Sequence, residues 1–375
     1  MIALPLGKLT KPVSTWNPVR RPADRFEYID LSAVDSDAKL IVTATNVSGN
    51  SAPSRARQLV AKGDVLVSTV RPNLNSVAVV PADLDGATAS TGFTVLRPGP
   101  QLDGRYLFHW VRSPSFVADM VRKATGASYP AVSDRIVKES MILAPSMDEQ
   151  RRIAAILDQA DALRAKRRQV LAHLDALTQS IFQDMFMGGG GWPEAAIGVL
   201  GKVVTGKTPP SAKANMFGGP IPFVTPGDLG SGAMVARWLS KEGSDESRVV
   251  RQGASLVCCI GATIGKIDFA RAPSAFNQQI NAVEWNSEID DIYGLEALRR
   301  IKNTIIARAG ITTLPLLPKS QFAKLRIPVA SLSLQRVFAQ SARAIDESKR
   351  TVIQSLGAHD ELFSTLQSRA FQGEV

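Results

Sequence analysis

The stretch SMDEQRRIAAILDQADALRAKRRQVLAHLDALTQSIFQDMFMGGGG, from Ser146 to Gly191, decides how this chain is built. Between Asp148 and Met187 it contains neither proline nor glycine, and it ends at Gly188 to Gly191. About forty helical residues at 1.5 Å each would extend about 60 Å, far too long for a core helix. Ile153, Leu157, Ala160, Leu163, Leu171, Leu174, Leu177, Ile181 and Met185 form an apolar stripe, mostly three and four residues apart, that weakens over the basic segment Arg164 to Gln169.

The same helix is written a second time. Gln150, Arg151, Asp161, Arg164, Leu177, Ile181, Phe186 and Gly188 are answered 185 positions later, as 335 follows 150, by Gln335, Arg336, Asp346, Lys349, Leu362, Leu366, Phe371 and Gly373. This second stretch, Leu332 to about Phe371, is predicted to be interrupted only at Gly357. The preceding globular portions repeat more loosely: Val60, Gly63, Leu66, Val67 and Val70 match Val250, Gly253, Leu256, Val257 and Ile260. The register implies an α+β protein with two mixed α/β heads at 1–147 and 188–330, followed by spacer helices at 148–187 and 331–375. Two amphipathic helices of equal length can bury their stripes on each other as an antiparallel coiled coil, which would put the heads at opposite ends of a rod with pseudo-twofold symmetry. Gln150, Arg151, Ile153, Leu157, Leu174, Leu177, Ile181, Gln335, Arg336, Ile345, Leu362 and Leu366 are its candidate stalk and partner-docking residues.

Within the first head, β-rich runs at Phe26 to Leu31, Asp64 to Val70, Ser76 to Val80 and Gly92 to Leu96 read as strands between turn residues. A helix is expected over Tyr106 to Ala124 and a strand over Ser140 to Leu143. The second head repeats the plan, with strands at Pro222 to Thr225, Ala254 to Ile260, Lys266 to Phe269, Ile280 to Trp285 and Leu325 to Val329, and a helix at Gly294 to Arg308. The only cysteines, Cys258 and Cys259, are adjacent, which is wrong for ordinary metal spacing or a routine disulfide, and a buried strand is the better reading.

A net charge of +10 over 375 residues and a pI near 9.7 make a polyanion a natural partner. No signal peptide and no run of about 18 apolar residues is found, so a cytoplasmic protein is expected. Gly201 to Thr208 matches the phosphate-loop pattern GxxxxGK[ST], the one pointer to a nucleotide-binding enzyme. That mechanism needs a helix to begin at the Lys-Thr, whereas Pro209 and Pro210 follow at once. His109, His173 and His359 are scattered and compose no catalytic pattern, so no catalytic residue, metal or bound cofactor is expected on this chain.

Polar and basic residues do occupy loops at corresponding places in the two heads. Arg71-Pro72-Asn73-Leu74-Asn75 shares its slot with Gly261 to Lys266, and Ser90-Thr91-Gly92 shares its slot with Asn277-Gln278-Gln279. Arg, Asn and Gln make paired contacts with base edges, while Lys, Ser and Thr hold phosphates. The DNA-binding candidates are thus Arg71, Asn73, Asn75, Ser90, Thr91, Ser128 and Tyr129 in the first head. In the second they are Lys207, Thr208, Lys213, Lys266, Asn277, Gln278, Gln279, Thr312 and Thr313. A coiled-coil scaffold whose heads bind protein is the rival reading.

Pro145-Ser146-Met147-Asp148-Glu149-Gln150-Arg151-Arg152-Ile153 resembles the entry to the central helix in specificity subunits of type I restriction-modification enzymes. Gly63-Asp64-Val65-Leu66, Gly206-Lys207-Thr208-Pro209, Ala275 to Gln279 and the ending Ala370 to Glu374 are similar to further blocks of that family, in the same order. The second helix entry, Val329 to Gln335, departs by lacking the Pro and Glu, and the first head lacks a Gly-x-Thr-Pro block. The resemblance implies that each head reads one half of a bipartite double-stranded DNA site and that two methyltransferase subunits dock on this chain. It further implies accompanying restriction or translocase subunits, with S-adenosylmethionine, ATP and Mg²⁺ bound by partners and none by this chain.

Overall fold

The computed structural model describes residues 2–188, 191–210, 213–230, 234–310 and 314–374. Two compact units emerge, one of residues 1–169 with 354–375 and the other of residues 170–353. The division falls within both long helices, Met147–Phe186 and Leu332–Gln372, so each unit holds one globular portion and one half of each helix. Gly357 does not interrupt the second helix. A side chain there would meet nothing within 4 Å, so the glycine faces solvent and costs only about 1 kcal/mol of helix propensity.

In unit 1, Ile2–Pro5 pairs antiparallel with Met141–Ala144. An antiparallel sheet follows in the order Thr10–Lys11, Phe93–Pro98, Val65–Ser68, Val77–Val79. A second four-stranded sheet runs Thr45–Ser48, Arg25–Ile29, Thr88–Ser90, Ala56–Leu59, and its middle pair is parallel. Unit 2 repeats these three sheets. Glu194–Ala196 pairs with Arg326–Pro328. The antiparallel sheet is Gly201–Thr205, Ile280–Trp285, Ser255–Cys258, Ile267–Phe269. The mixed sheet is Trp238–Leu239, Phe217–Val224, Ser274–Phe276, Val249–Val250, again with a parallel middle pair. Val65–Ser68 and Ser255–Cys258 are buried at every residue, which is why they read as unbroken β-rich runs rather than alternating ones. Cys258 and Cys259 are both buried, and burial pushes the Cys259 thiol up to about 12.

Two expected helices are each two. Tyr106 to Ala124 is split into Gly104–Trp110 and Pro114–Lys123, because Ser113 caps the Phe116 N–H at 3.3 Å and Pro114 opens a new helix. Gly294 to Arg308 is split into Asp291–Arg300 and Lys302–Ala309 at Ile301, whose φ of −90° and ψ of 12° leave the α region. Short helices at Asp134–Lys138 and Lys319–Phe322 add to both units.

Inside unit 1 the two helix halves run antiparallel: Arg164 Nε donates to Asp360 at 2.5 Å, and Ile153, Ala154 and Leu157 share a core with Phe363 and Ala370. Inside unit 2, Lys349 pairs with Asp175 at 2.6 Å, and Phe186 meets Phe338 with centroids 5.7 Å apart. The buried seam departs from the expected stripe. Ile153, Leu157 and Ile345 are buried, Leu174, Ile181 and Leu366 half-buried, but Leu177 and Leu362 are 46% and 53% exposed. Their C-terminal neighbours, Thr178 and Phe363, are buried instead. The large Phe363 ring has taken the seam, where it receives the Arg164 guanidinium at 4.3 Å, and rotated Leu362 outward.

One repeated pair of contacts holds each globular portion to its helices. Gln150 is fully buried; its Nε2 donates to the Gln101 and Pro145 carbonyls, both at 3.0 Å, and its Oε1 accepts the Asp103 N–H at 2.9 Å. Gln335 does the same with the Glu288 and Ala330 carbonyls and the Asp290 N–H, at 3.0, 2.9 and 2.8 Å. Asp103 and Asp290 in turn cap the helices Gly104–Trp110 and Asp291–Arg300. Three residues on, Tyr106 donates to the Leu143 carbonyl and rests against Phe371, as Tyr293 donates to the Pro328 carbonyl and rests against Phe186. Gln150 and Gln335 are therefore internal fasteners, with no surface to offer a partner. Arg151 and Arg336 are exposed.

Candidate nucleic-acid interface

The turn that follows the buried strand of each antiparallel sheet is shaped alike in both units and furnished differently. In unit 2 its ends are Gly261 and Gly265, with φ of 88° and 83°. In unit 1 the same slots hold Arg71 and Asn75, with φ of 50° and 46°. Left-handed backbone costs a residue with a Cβ roughly 1–2 kcal/mol, so the side chains at these two positions are retained against a local preference for glycine. The turn is anchored identically: Arg71 N–H donates to Pro130 O at 2.7 Å and Gly261 N–H to Pro315 O at 2.9 Å.

Arg71 uses its position to present charge. Its guanidinium lies 4.7 Å from the centroid of Tyr129, which is 68% exposed, and Asn73, Leu74, Thr91 and Ser128 are exposed as well. An exposed aromatic ring stacked with an arginine is a platform for a base or sugar, and the arginine can reach guanine edges or phosphate. Asn75 and Ser90 play a different part from the one expected. Asn75 Nδ2 donates to Val111 O at 2.9 Å, and its backbone carbonyl accepts Lys39 Nζ at 2.5 Å. Ser90 is buried, and its Oγ accepts the Gly92 N–H at 3.2 Å. Asn75 is tied up in holding the turn and Ser90 in the bend to Gly92, leaving neither free for a ligand.

The corresponding surface of unit 2 is polar and cationic. Lys266 and Gln278 are exposed, and Thr208 Oγ1 donates to Gln278 Oε1 at 2.6 Å. Asn277 and Gln279 are half-buried and bonded to each other at 3.1 Å, while Gln279 Nε2 donates to Ile260 O at 3.4 Å. Lys213 and Lys207 meet Glu246 at 2.6 and 3.7 Å, and the Lys213 hydrogen bond holds that carboxyl below its usual range. Thr312 and Thr313 lie outside the described residues.

The phosphate-loop match is a coincidence of letters. Gly201–Thr205 is a strand, and 206–210 is not helical. The amides a phosphate would need are spent, Gly206 N–H on Ile280 O and Lys207 N–H on Phe276 O, both at 3.0 Å. Gly206 is required for another reason: a Cβ there would lie 2.1 Å from Asn277 O. The two blocks expected to carry DNA contacts, 206–209 and 277–279, are thereby pressed together.

Sequence reasoning missed the fasteners' partners and the environment of His109. Asp103-x-x-Tyr106 and Asp290-x-x-Tyr293 was the available signal, a cap followed three residues later by a tyrosine in each half. His109 is fully buried with Nε2 2.7 Å from Asp158 Oδ1, while the Gln367 amide donates to its backbone carbonyl at 2.8 Å. Burial lowers the His109 pKa. Burial also pushes Asp158 up, but hydrogen bonds from His109 and Arg105 outweigh it and hold this carboxyl down at about 2.

No helix among the described residues is long and apolar enough to cross a membrane. The family profile of the type I restriction modification DNA specificity domain matches twice, over residues 36–173 and 190–355. The chain is 21% identical to the type I restriction enzyme HindI specificity subunit of Haemophilus influenzae, over 86% of this chain and 89% of that one. Among solved structures, a chain from a study of complex assembly and conformational transition of the type I R-M system is 26% identical, with TM-score 0.60 over 100% and 98% of the two chains. The type I restriction-modification S subunit of M. genitalium shares the fold at 16% identity, with TM-score 0.59 over 99% and 96%. Both halves of the duplication are covered by the profile, and the chain belongs to the specificity subunits of type I restriction-modification systems.

Proposed function

We propose that this chain reads an asymmetric, bipartite sequence in double-stranded DNA, one half with each unit, and performs no chemistry itself. The observation that carries this reading is one turn built twice on the same left-handed frame, bearing Arg71 with Tyr129 in unit 1 and glycines beside Lys266 and Gln278 in unit 2. A common scaffold with unlike side chains suits two unlike half-sites. The spacer helices set the gap between them. Two methyltransferase subunits dock on this chain, with restriction or translocase subunits beyond them, and those partners supply S-adenosylmethionine, ATP and Mg²⁺ in the cytoplasm.

The test is selection of duplexes from a random pool by the chain assembled with its modification subunits. Two short preferred blocks separated by a fixed number of unread positions are expected; binding without sequence preference would reject the reading.

A further inference from the structure

Unit 2 contains a groove lined by cations beside the central helix. It has a volume of about 920 Å³ and lies between the central helix, at Gln179, Ser180 and Gln183, and the cations Lys266, Arg299, Arg300 and Lys302. Glu296 is the one carboxylate on its wall, and it is buried and bonded to Arg299. Arg300 and Lys302 are exposed and have no acidic partner among the described residues. The groove is continuous with the recognition turn, because Gly265 and Lys266 belong to both.

Around the corresponding turn of unit 1 the side chains bond to one another. Lys39 Nζ caps the Asn75 carbonyl, Asn75 Nδ2 reaches Val111 O, and Arg112 donates to Asp161 at 2.7 Å while its guanidinium lies 4.7 Å from Phe108 and 5.7 Å from Phe363. At the 187-residue offset that relates Asp103 to Asp290 and Tyr106 to Tyr293, Ser113 and Ser115 match Arg300 and Lys302. Lys39 and Arg112 are thus consumed internally, and burial, reinforced by the neighbouring Arg112, pushes Lys39 down to about 8.

We infer that the unit 2 groove holds the sugar-phosphate backbone of the duplex alongside its half-site, so that the two units divide labour unequally, unit 2 supplying the larger share of sequence-independent, salt-sensitive grip. This rests on the proposed DNA-reading role. Free ammonium and guanidinium groups flanked by amide and hydroxyl side chains are the groups that hold phosphate oxygens, and continuity with the turn puts them on the strand whose bases that turn would read. An acidic segment of a partner subunit is the competing occupant.

The experiment compares the assembled complex carrying wild-type chain, R300Q/K302Q, or the control R122Q/K123Q on the exposed helix of unit 1, titrating target and non-target duplexes across KCl concentrations. Each phosphate that is no longer neutralised should reduce the slope of log K against log salt by about 0.9, so the groove variant should drop by up to about 1.8, equally on both duplexes, with target preference intact and the control unchanged. An unchanged slope in an assembled groove variant overturns the inference, as does loss of assembly with normal folding, which would identify a protein occupant. A wild-type complex without sequence preference at any salt would instead reject the underlying function.

Discussion

Replacing Gln150 by alanine removes three hydrogen bonds at once, those to the Gln101 and Pro145 carbonyls and that from the Asp103 N–H. At about 1 kcal/mol net for each bond, the loss is about 3 kcal/mol, a large share of the stability of a domain this size. The damage should be local, because the released N–H belongs to the cap of Gly104–Trp110. Native-state hydrogen exchange on the full chain reads this directly: Q150A should speed exchange over 103–110 and leave 290–300 untouched, and Q335A should do the converse. The exposed neighbour supplies the control, with R151A expected within about 0.5 kcal/mol of wild type. Q150E sharpens the test. A carboxylate can still accept from Asp103 but cannot donate to either carbonyl, so its folded pKa must rise above the unfolded value of about 4.3, and the variant should gain stability as pH falls through that range. A loss below about 1 kcal/mol for Q150A, or exchange that speeds equally in both units, would refute the fastening role.

Acidification should weaken unit 1 through His109. Burial lowers its folded pKa, so below the unfolded value of about 6.5 the unfolded state takes up a proton that the folded state refuses; the stability present above pH 6.5 should fall as pH drops below it, and H109Q should flatten that fall in pH-dependent melts. Asp158, held at about 2, acts in a separate window, contributing stability above about pH 3.9 that is lost as pH falls toward 2. Y129A and R71A should each weaken binding by roughly 1–3 kcal/mol and relax preference in one half-site only, measured by competition among single-base variants. Insertion of one helical turn into both spacer helices at matched positions should change the gap in the selected sequence while leaving both blocks unchanged.

Much of this architecture was legible because the duplication preserved residues whose jobs are repeated: Gln150 and Gln335 fasten, and Phe186 and Phe371 receive a tyrosine. The helices were legible to within a residue since long proline-free and nearly glycine-free runs admit little else. Local detail was less so. Pro114 was a visible helix start that the apolar spacing of Tyr106 to Ala124 masked, whereas the break at Ile301 has no such marker. The strands Thr45–Ser48 and Thr88–Ser90 are short and polar, and the second pairs in parallel with a strand some sixty residues earlier, Arg25–Ile29, a partner that no local pattern announces. At the interface, residue type identified Arg71 and Tyr129 but could not separate them from Asn75 and Ser90, because only the fold reveals which polar groups are already satisfied.

The central claim is that the two units read separate halves of one site. Mapping methylated adenines in cells expressing the complete complex, with the native chain and with a chain whose residues 188–330 are replaced by the equivalent segment of another family member, tests it most directly. A bipartite motif in which one block changes and the other block persists is expected. A change in both blocks, or a motif unaffected by the exchange, would contradict it.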